Sequence, residues 1–154
     1  METTATWSVE PEVTWGDKAG LALLGAVFGA SCRDNAVLRR VNGTARELER
    51  RGLRTDSLKE VAALDENFLA EFMGRSRLNP GRRRRVSRAE AARAAAGRIA
   101  ALGVDTAADV RAYARRAGGA EDILRSYSSV AGLGRVSGER FLALLGAAGT
   151  EGEA

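Results

Sequence analysis

Histidine is missing from this chain, and cysteine, lysine and aromatic residues are scarce. Without histidine the commonest general base and the commonest metal ligand are gone. The single cysteine, Cys32, forms no internal disulfide and supplies no cysteine set for zinc or an iron–sulfur cluster. It is expected to pack as a small buried hydrophobe. Two tryptophans, two tyrosines and four phenylalanines leave little aromatic surface once a core is built. No apolar run reaches the length of a membrane span. Leu21 to Ala30 superficially resembles a signal-peptide core. However, Glu2, Glu10, Glu12 and Asp17 precede it against Lys18 alone, the wrong sign for such a leader. A cytoplasmic protein with no membrane partner is expected.

Arginine, alanine and glycine are what the chain does contain. Of 24 basic residues only Lys18 and Lys59 are lysine, and the net charge is +4. Arginine suits bidentate contact with phosphate, but a GC-rich genome also favours it, so its placement matters more than its number. From Arg75 to Arg98 nine arginines face one acid, Glu90, which puts twice the net charge of the whole chain into one stretch. Arg82-Arg83-Arg84-Arg85 follows the turn signal Asn79-Pro80-Gly81. Such concentration suits a phosphate-facing surface.

The 154 residues are enough for one domain with a sizeable core. Residues 1–16 lack a clear period and are read as an arm, docked through Trp7 and Trp15. Residues 17–147 form the helical domain, with a basic loop at 75–88, and 148–154 are expected to be a disordered tail. Asp17 is placed to cap a helix running to Ala30, and Asp34 one running from Asn35 to Arg51, with Gly52 as its stop. Ser57 with Glu60, and Ser87 with Glu90, read as capping boxes. Asp65 and Thr106 are further caps, with Gly74, Gly103 and Gly118-Gly119 as stops. No β alternation or internal repeat is evident. The expected class is all-α, a compact domain of about eight helices.

The last two helical patterns, Glu121 to Ser128 and Ser137 to Ala147, flank Ser129-Val130-Ala131-Gly132-Leu133-Gly134-Arg135-Val136. Two glycines around one apolar residue can turn backbone N–H groups outward beside a helix N-terminus, a favourable place for an anion. Leu133 is expected to point inward and lock the turn.

The segment from Ile123 to Leu145 resembles the helix-hairpin-helix motif of the DNA glycosylase superfamily. Family turns read roughly Leu-Pro-Gly-apolar-Gly-x-x-(Thr/Ser)-Ala. Here Val130 to Gly138 occupies that frame, with Ala131 for the proline and Gly138 for the alanine. A looser likeness extends from Gly20 to Leu145. The resemblance implies a glycosylase-like helical fold that ends in a DNA-binding hairpin. It adds one optional cofactor, a monovalent cation held at the hairpin. It does not carry the family chemistry. Val136 stands where bifunctional members have a lysine nucleophile. The place of the family aspartate falls at the end of the sequence, where only Glu151 and Glu153 remain.

The leading expectation is therefore a DNA-binding protein that grips backbone with little sequence preference and no catalytic residue. Gly132, Leu133 and Gly134 would present the turn, and Ser137 the following helix start. Arg135, Arg140 and Arg82, Arg83, Arg84 and Arg85 would hold flanking phosphates. Two other readings stay open. One is a divergent glycosylase using Asp17, Asp34 or Glu90, each of which also has a capping explanation. The other is a protein-interaction module with a protein partner.

Overall fold

The computed structural model describes residues 15–29, 35–75, 77–78 and 86–147. Eight α-helices account for most of them: α1 (Ala19–Phe28), α2 (Asn35–Arg50), α3 (Leu58–Ala63), α4 (Glu66–Met73), α5 (Arg88–Ala100), α6 (Ala107–Arg115), α7 (Gly119–Ser128) and α8 (Arg135–Leu144). The all-α class is as expected. Trp7, Cys32, Asp34, the Arg82–Arg85 run and the tail at 148–154 lie outside the described residues.

α5 is the hub, packed against α1, α3, α4 and α7. Its composition explains that position. Ala89, Ala91, Ala92, Ala95 and Ala96 are all buried, and such small side chains let neighbouring backbones come close. α1 is buried along nearly its whole length, from Ala19 to Val27, as expected of a helix apolar on all sides. The large buried side chains around these two include Leu23, Leu24, Leu58, Leu69, Ile99, Tyr127 and Phe141.

Local signals set several helix ends. Thr106 and Asp109 form a full capping box on α6. Ser57 and Ser87 each accept the amide of the residue three ahead, both at 3.0 Å. Gly52, Gly74, Gly103 and Gly118 carry positive φ where helices stop.

Three expectations need correction. Asp17 does not cap α1. Residues Trp15–Asp17 form a single 3₁₀ turn, and the amide of Ala19 donates instead to Asp56 Oδ1 at 2.9 Å. The same oxygen accepts the Ala107 amide of α6 at 2.8 Å, so one carboxylate holds two helix starts. Asp65 is the N-cap residue of α4, yet its side chain makes no capping bond. Finally, the stretch read as a basic loop contains a two-stranded ladder, β1 (Arg77–Leu78) antiparallel to β2 (Val86–Ser87). Two-residue strands are too short for alternation to show.

The arm docks as expected where it is described. Trp15 is 4% exposed, and its ring lies so close to Gly25 that a Cβ there would sit 2.4 Å from it. Glycine at position 25 is what lets the indole lie on α1.

Candidate nucleic-acid interface

α7 and α8 pack together as a helical hairpin joined by residues 129–134. Its apolar faces bury Ile123, Leu124 and Tyr127 from α7, and Phe141 and Leu142 from α8. The two helices cross tightly at Gly138, where a Cβ would meet Leu124 Cδ2 at 3.0 Å and Tyr127 Cδ1 at 3.1 Å. Alanine, the residue the resemblance places there, would press on both.

Leu133 points inward, as expected. Leu133 is 6% exposed, and its amide donates to the Val130 carbonyl at 3.0 Å. With the leucine locked inside, Ala131, Gly132 and Gly134 face solvent. Gly132 has φ +91°, a conformation that glycine adopts without strain. Gly134 differs. Its φ of −107° is open to any residue, and a Cβ there would meet nothing within 4 Å. It is the N-cap residue of α8, and no side chain caps that end. The first amides of a helix have no partner inside it, so the start of α8 offers donors and a positive dipole end to solvent. Val136, in that first turn, is 75% exposed.

The charged residues behave less simply. Arg135 donates from Nη1 and Nη2 to the two oxygens of Glu121, at 2.9 and 3.0 Å. Its Nε reaches Glu139 at 3.1 Å. These bonds raise the Arg135 pKa further, with Glu121 the largest cause. They also hold Glu121 below the usual carboxylate range, chiefly through Arg135. The guanidinium is thus already engaged, and the trio carries one net negative charge.

Ser137 is 9% exposed. Its hydroxyl is hydrogen-bonded to that of Tyr127 and donates to the Ala26 carbonyl at 3.1 Å. This side chain ties α8 to α1, and only its amide faces the helix end. Arg140 is half-buried one turn further along α8, away from the turn itself. The remaining expected contacts, Arg82 to Arg85, lie outside the described residues.

Other arginines have structural work that spacing did not reveal. Arg98 donates to the carbonyl and hydroxyl of Ser129, at 2.9 and 2.8 Å. Arg88 donates to the Val27 carbonyl at 2.8 Å. Arg111 reaches the carbonyls of Gly16 at 2.7 Å and Leu145 at 3.1 Å. Each guanidinium therefore sits at the C-terminal end of another helix (α7, α1 and α8), where a cation is favoured. Arg88 and Arg98 belong to the basic stretch, so part of that charge holds the fold together.

A cation at the hairpin would need the turn's carbonyl oxygens. The Ser129 carbonyl already accepts the Arg98 guanidinium, and the Val130 carbonyl accepts the Leu133 amide. Each carbonyl has a second lone pair, so a cation there would share these oxygens with the donors they already accept. Among the described residues no group of three or more acids or cysteines could hold a metal, and no helix is long and apolar enough to cross a membrane.

Of the candidate carboxylates among the described residues, Asp17 borders neither hollow beside the hairpin and Glu90 borders the smaller one. Asp17 has 84% of its side chain exposed beside Arg111. Glu90 is exposed in the first turn of α5. Among the described residues two hollows border the hairpin. A groove of about 880 Å³ is lined by residues that include Arg115, Arg116, Glu121, Leu124, Arg135 and Leu142. A smaller one of about 200 Å³ lies between Glu90, Arg98 and Ala131. Neither has an aromatic wall.

In comparisons with known proteins no family model, no curated protein and no solved structure matches this chain. The geometry of the hairpin is therefore what a functional reading stands on.

Proposed function

We propose that α7, the turn and α8 act as a helix-hairpin-helix element that holds the phosphate backbone of DNA. The surrounding helical domain would be a reduced form of the glycosylase-like fold, without its chemistry. One observation carries this reading. Leu133 is buried while Gly132 and Gly134 are exposed, directly before a helix start that no side chain caps. A phosphate oxygen approaching there meets backbone donors, a favourable dipole and no Cβ. Contacts of this kind position a protein on a duplex and read little sequence.

The chemistry of the site argues against base excision. A flipped base needs stacking walls. Trp15, Tyr127 and Phe141 are all buried in the core, and Tyr127 and Phe141 stack on each other at 6.2 Å.

Gly134→Val provides a clean test, because a Cβ there meets nothing within 4 Å and the backbone angle is ordinary. The parent is expected to bind a labelled duplex with log K falling steeply against log salt. The variant is expected to keep its helicity and thermal midpoint and lose tight binding. Equal affinity in the two proteins would overturn the hairpin reading.

A protein-binding reading has one observation in its favour. Glu121 and Glu139 offset Arg135 on the lip of the larger groove. If the parent fails to bind duplex even at low salt, that groove becomes the surface to pursue.

A further inference from the structure

The chain enters the described fold at one end of the larger groove. Arg111 of α6 donates to the Gly16 carbonyl at 2.7 Å and to the Leu145 carbonyl at 3.1 Å, and it lies 3.7 Å from Asp17. Gly16 passes beside the Leu144 carbonyl, which a Cβ there would meet at 3.9 Å. The groove walls begin next to these contacts. Ala114 and Arg115 follow Arg111 by one turn of α6, and Leu142 and Ala143 directly precede Leu144. From there the groove follows α8 back to Arg135, about 12 Å at the helical rise.

The lining has two characters. Ala114, Ala120, Leu124, Leu142 and Ala143 give it an apolar bed. Arg115 and Arg116 stand exposed on the α6 lip, while the opposite lip carries Arg135 between Glu121 and Glu139. The groove therefore suits an occupant with apolar side chains on one side and acids on the other, the acids turned to α6.

Residues 1–14 have that chemistry. They carry Glu2, Glu10 and Glu12 and no basic side chain. The arm has no period over its full length, but Val9, Pro11 and Val13 take every second place in its last part, with Glu10 and Glu12 between them. An extended chain puts two such sets on opposite sides. Pro11 sets its own φ and biases Glu10 toward extended backbone. At the rise of an extended strand, residues 9–13 span about 13 Å, close to the length of the groove.

We propose that residues 9–13 lie extended in this groove, with Val9 and Val13 turned to Leu124 and Leu142 and with Glu10 and Glu12 turned to Arg115 and Arg116. Glu121 and Glu139 repel the arm's acids from the other lip and so fix which side faces which. Attachment at Trp15 gives the segment a high effective concentration at the groove, which favours it over a second copy or a separate partner. The inference stands apart from the hairpin reading, because it uses none of the turn's amides.

A nitroxide on the arm tests this directly. Ser8→Cys in a Cys32→Ser background gives the full chain a single labelling position. The Ala120, Leu124 and Ala143 methyl resonances are expected to lose most of their intensity, and to regain it when the label is reduced. Ala45 of α2, which does not border the groove, should stay sharp. Glu10→Arg with Glu12→Arg should abolish the broadening, and so should Arg115→Glu with Arg116→Glu. Joining the two pairs should restore it, a recovery that damage to the fold would not produce. Should the second pair prevent folding, the first decides alone. Groove methyls that stay sharp in the labelled parent overturn the proposal. So does broadening that survives charge reversal. Broadening that arises between separate chains, in a mixture of spin-labelled and isotope-labelled protein, also overturns it and gives the groove to a second copy. No duplex is present, so the result is independent of the Gly134→Val outcome.

Discussion

Arg135 lies against Glu121 with two parallel hydrogen bonds, 2.9 and 3.0 Å, linking the start of α8 to the first turn of α7. Glu139 closes the trio from one turn along α8. The helix end most suited to an anion thus has two carboxylates beside it.

That placement predicts a gain rather than a loss on mutation. Glu121→Gln and Glu139→Gln remove negative charge next to the amides of α8 and free Arg135 to face solvent. Together they should strengthen duplex binding roughly two- to fivefold at low salt, and the gain should shrink as salt rises. Glu121 is held below the usual carboxylate range by its bonds to Arg135, so its repulsion persists through mildly acid pH. Fluorescence anisotropy at two salt concentrations measures the effect. Unchanged affinity in the double variant would mean that the bound strand does not pass this end of α8.

Tyr127 and Ser137 set a second expectation, at alkaline pH. Burial pushes the Tyr127 hydroxyl up to about 12, against smaller lowering effects from Ser137 and the nearby arginines. A phenol raised in the folded state favours folding fully below its unfolded value near 10. That contribution is lost as pH rises through the folded value. Ultraviolet titration should show Tyr113 and Tyr127 ionising separately, with the Tyr127 step coupled to unfolding. Tyr127→Phe should cost about 1 kcal/mol, because Ser137 keeps its bond to Ala26. Ser137→Ala should cost more, about 2 kcal/mol, since it strands the Tyr127 hydroxyl in the core. Equal costs would mean that the two hydroxyls do not depend on each other.

The contrast between legible and hidden features follows chain separation. Thr106 and Asp109 are three residues apart, and their capping box could be read directly. The inward turn of Leu133 and the stops at Gly52 and Gly103 are equally local, because each is a property of one residue's backbone or polarity. Asp56 caps α1 and α6 across 37 and 51 positions, and no local pattern distinguishes it from any loop aspartate. The same holds for Arg88, Arg98 and Arg111, which look like surface charge in sequence and act as helix-end ligands in the fold. At the candidate interface the glycines were legible and the state of Arg135 was not, since Glu121 lies 14 residues away on the facing helix.

Asp56 itself is the most exposed point of failure in this scheme. One oxygen, Oδ1, receives the Ala19 and Ala107 amides at 2.9 and 2.8 Å. A single cap is worth about 1 kcal/mol. Asp56→Ala removes two, and should cost about 2 to 3 kcal/mol in urea denaturation. Asp56→Asn keeps a carbonyl oxygen in the same place and should recover roughly half of the loss. If asparagine is no better than alanine, the carboxylate's charge matters more than its geometry.

Gly25 gives the sharpest separation between stability and binding. An added Cβ would lie 2.4 Å from Trp15 Cζ3, with two further ring atoms at 3.0 and 3.1 Å. Helix propensity alone would make Gly25→Ala stabilising by about 1 kcal/mol. Crowding a fully packed indole works the other way, by about 1 to 3 kcal/mol. The ring cannot yield like the end of a flexible chain, so crowding should win. The variant is expected to be destabilised by about 1 kcal/mol, with Trp15 emission shifted to the red as its ring meets water. The hairpin turn does not touch this contact. Its duplex affinity should therefore match the parent's at temperatures where both are folded. A stabilised variant with unchanged emission would instead mean that Trp15 is free to move off α1.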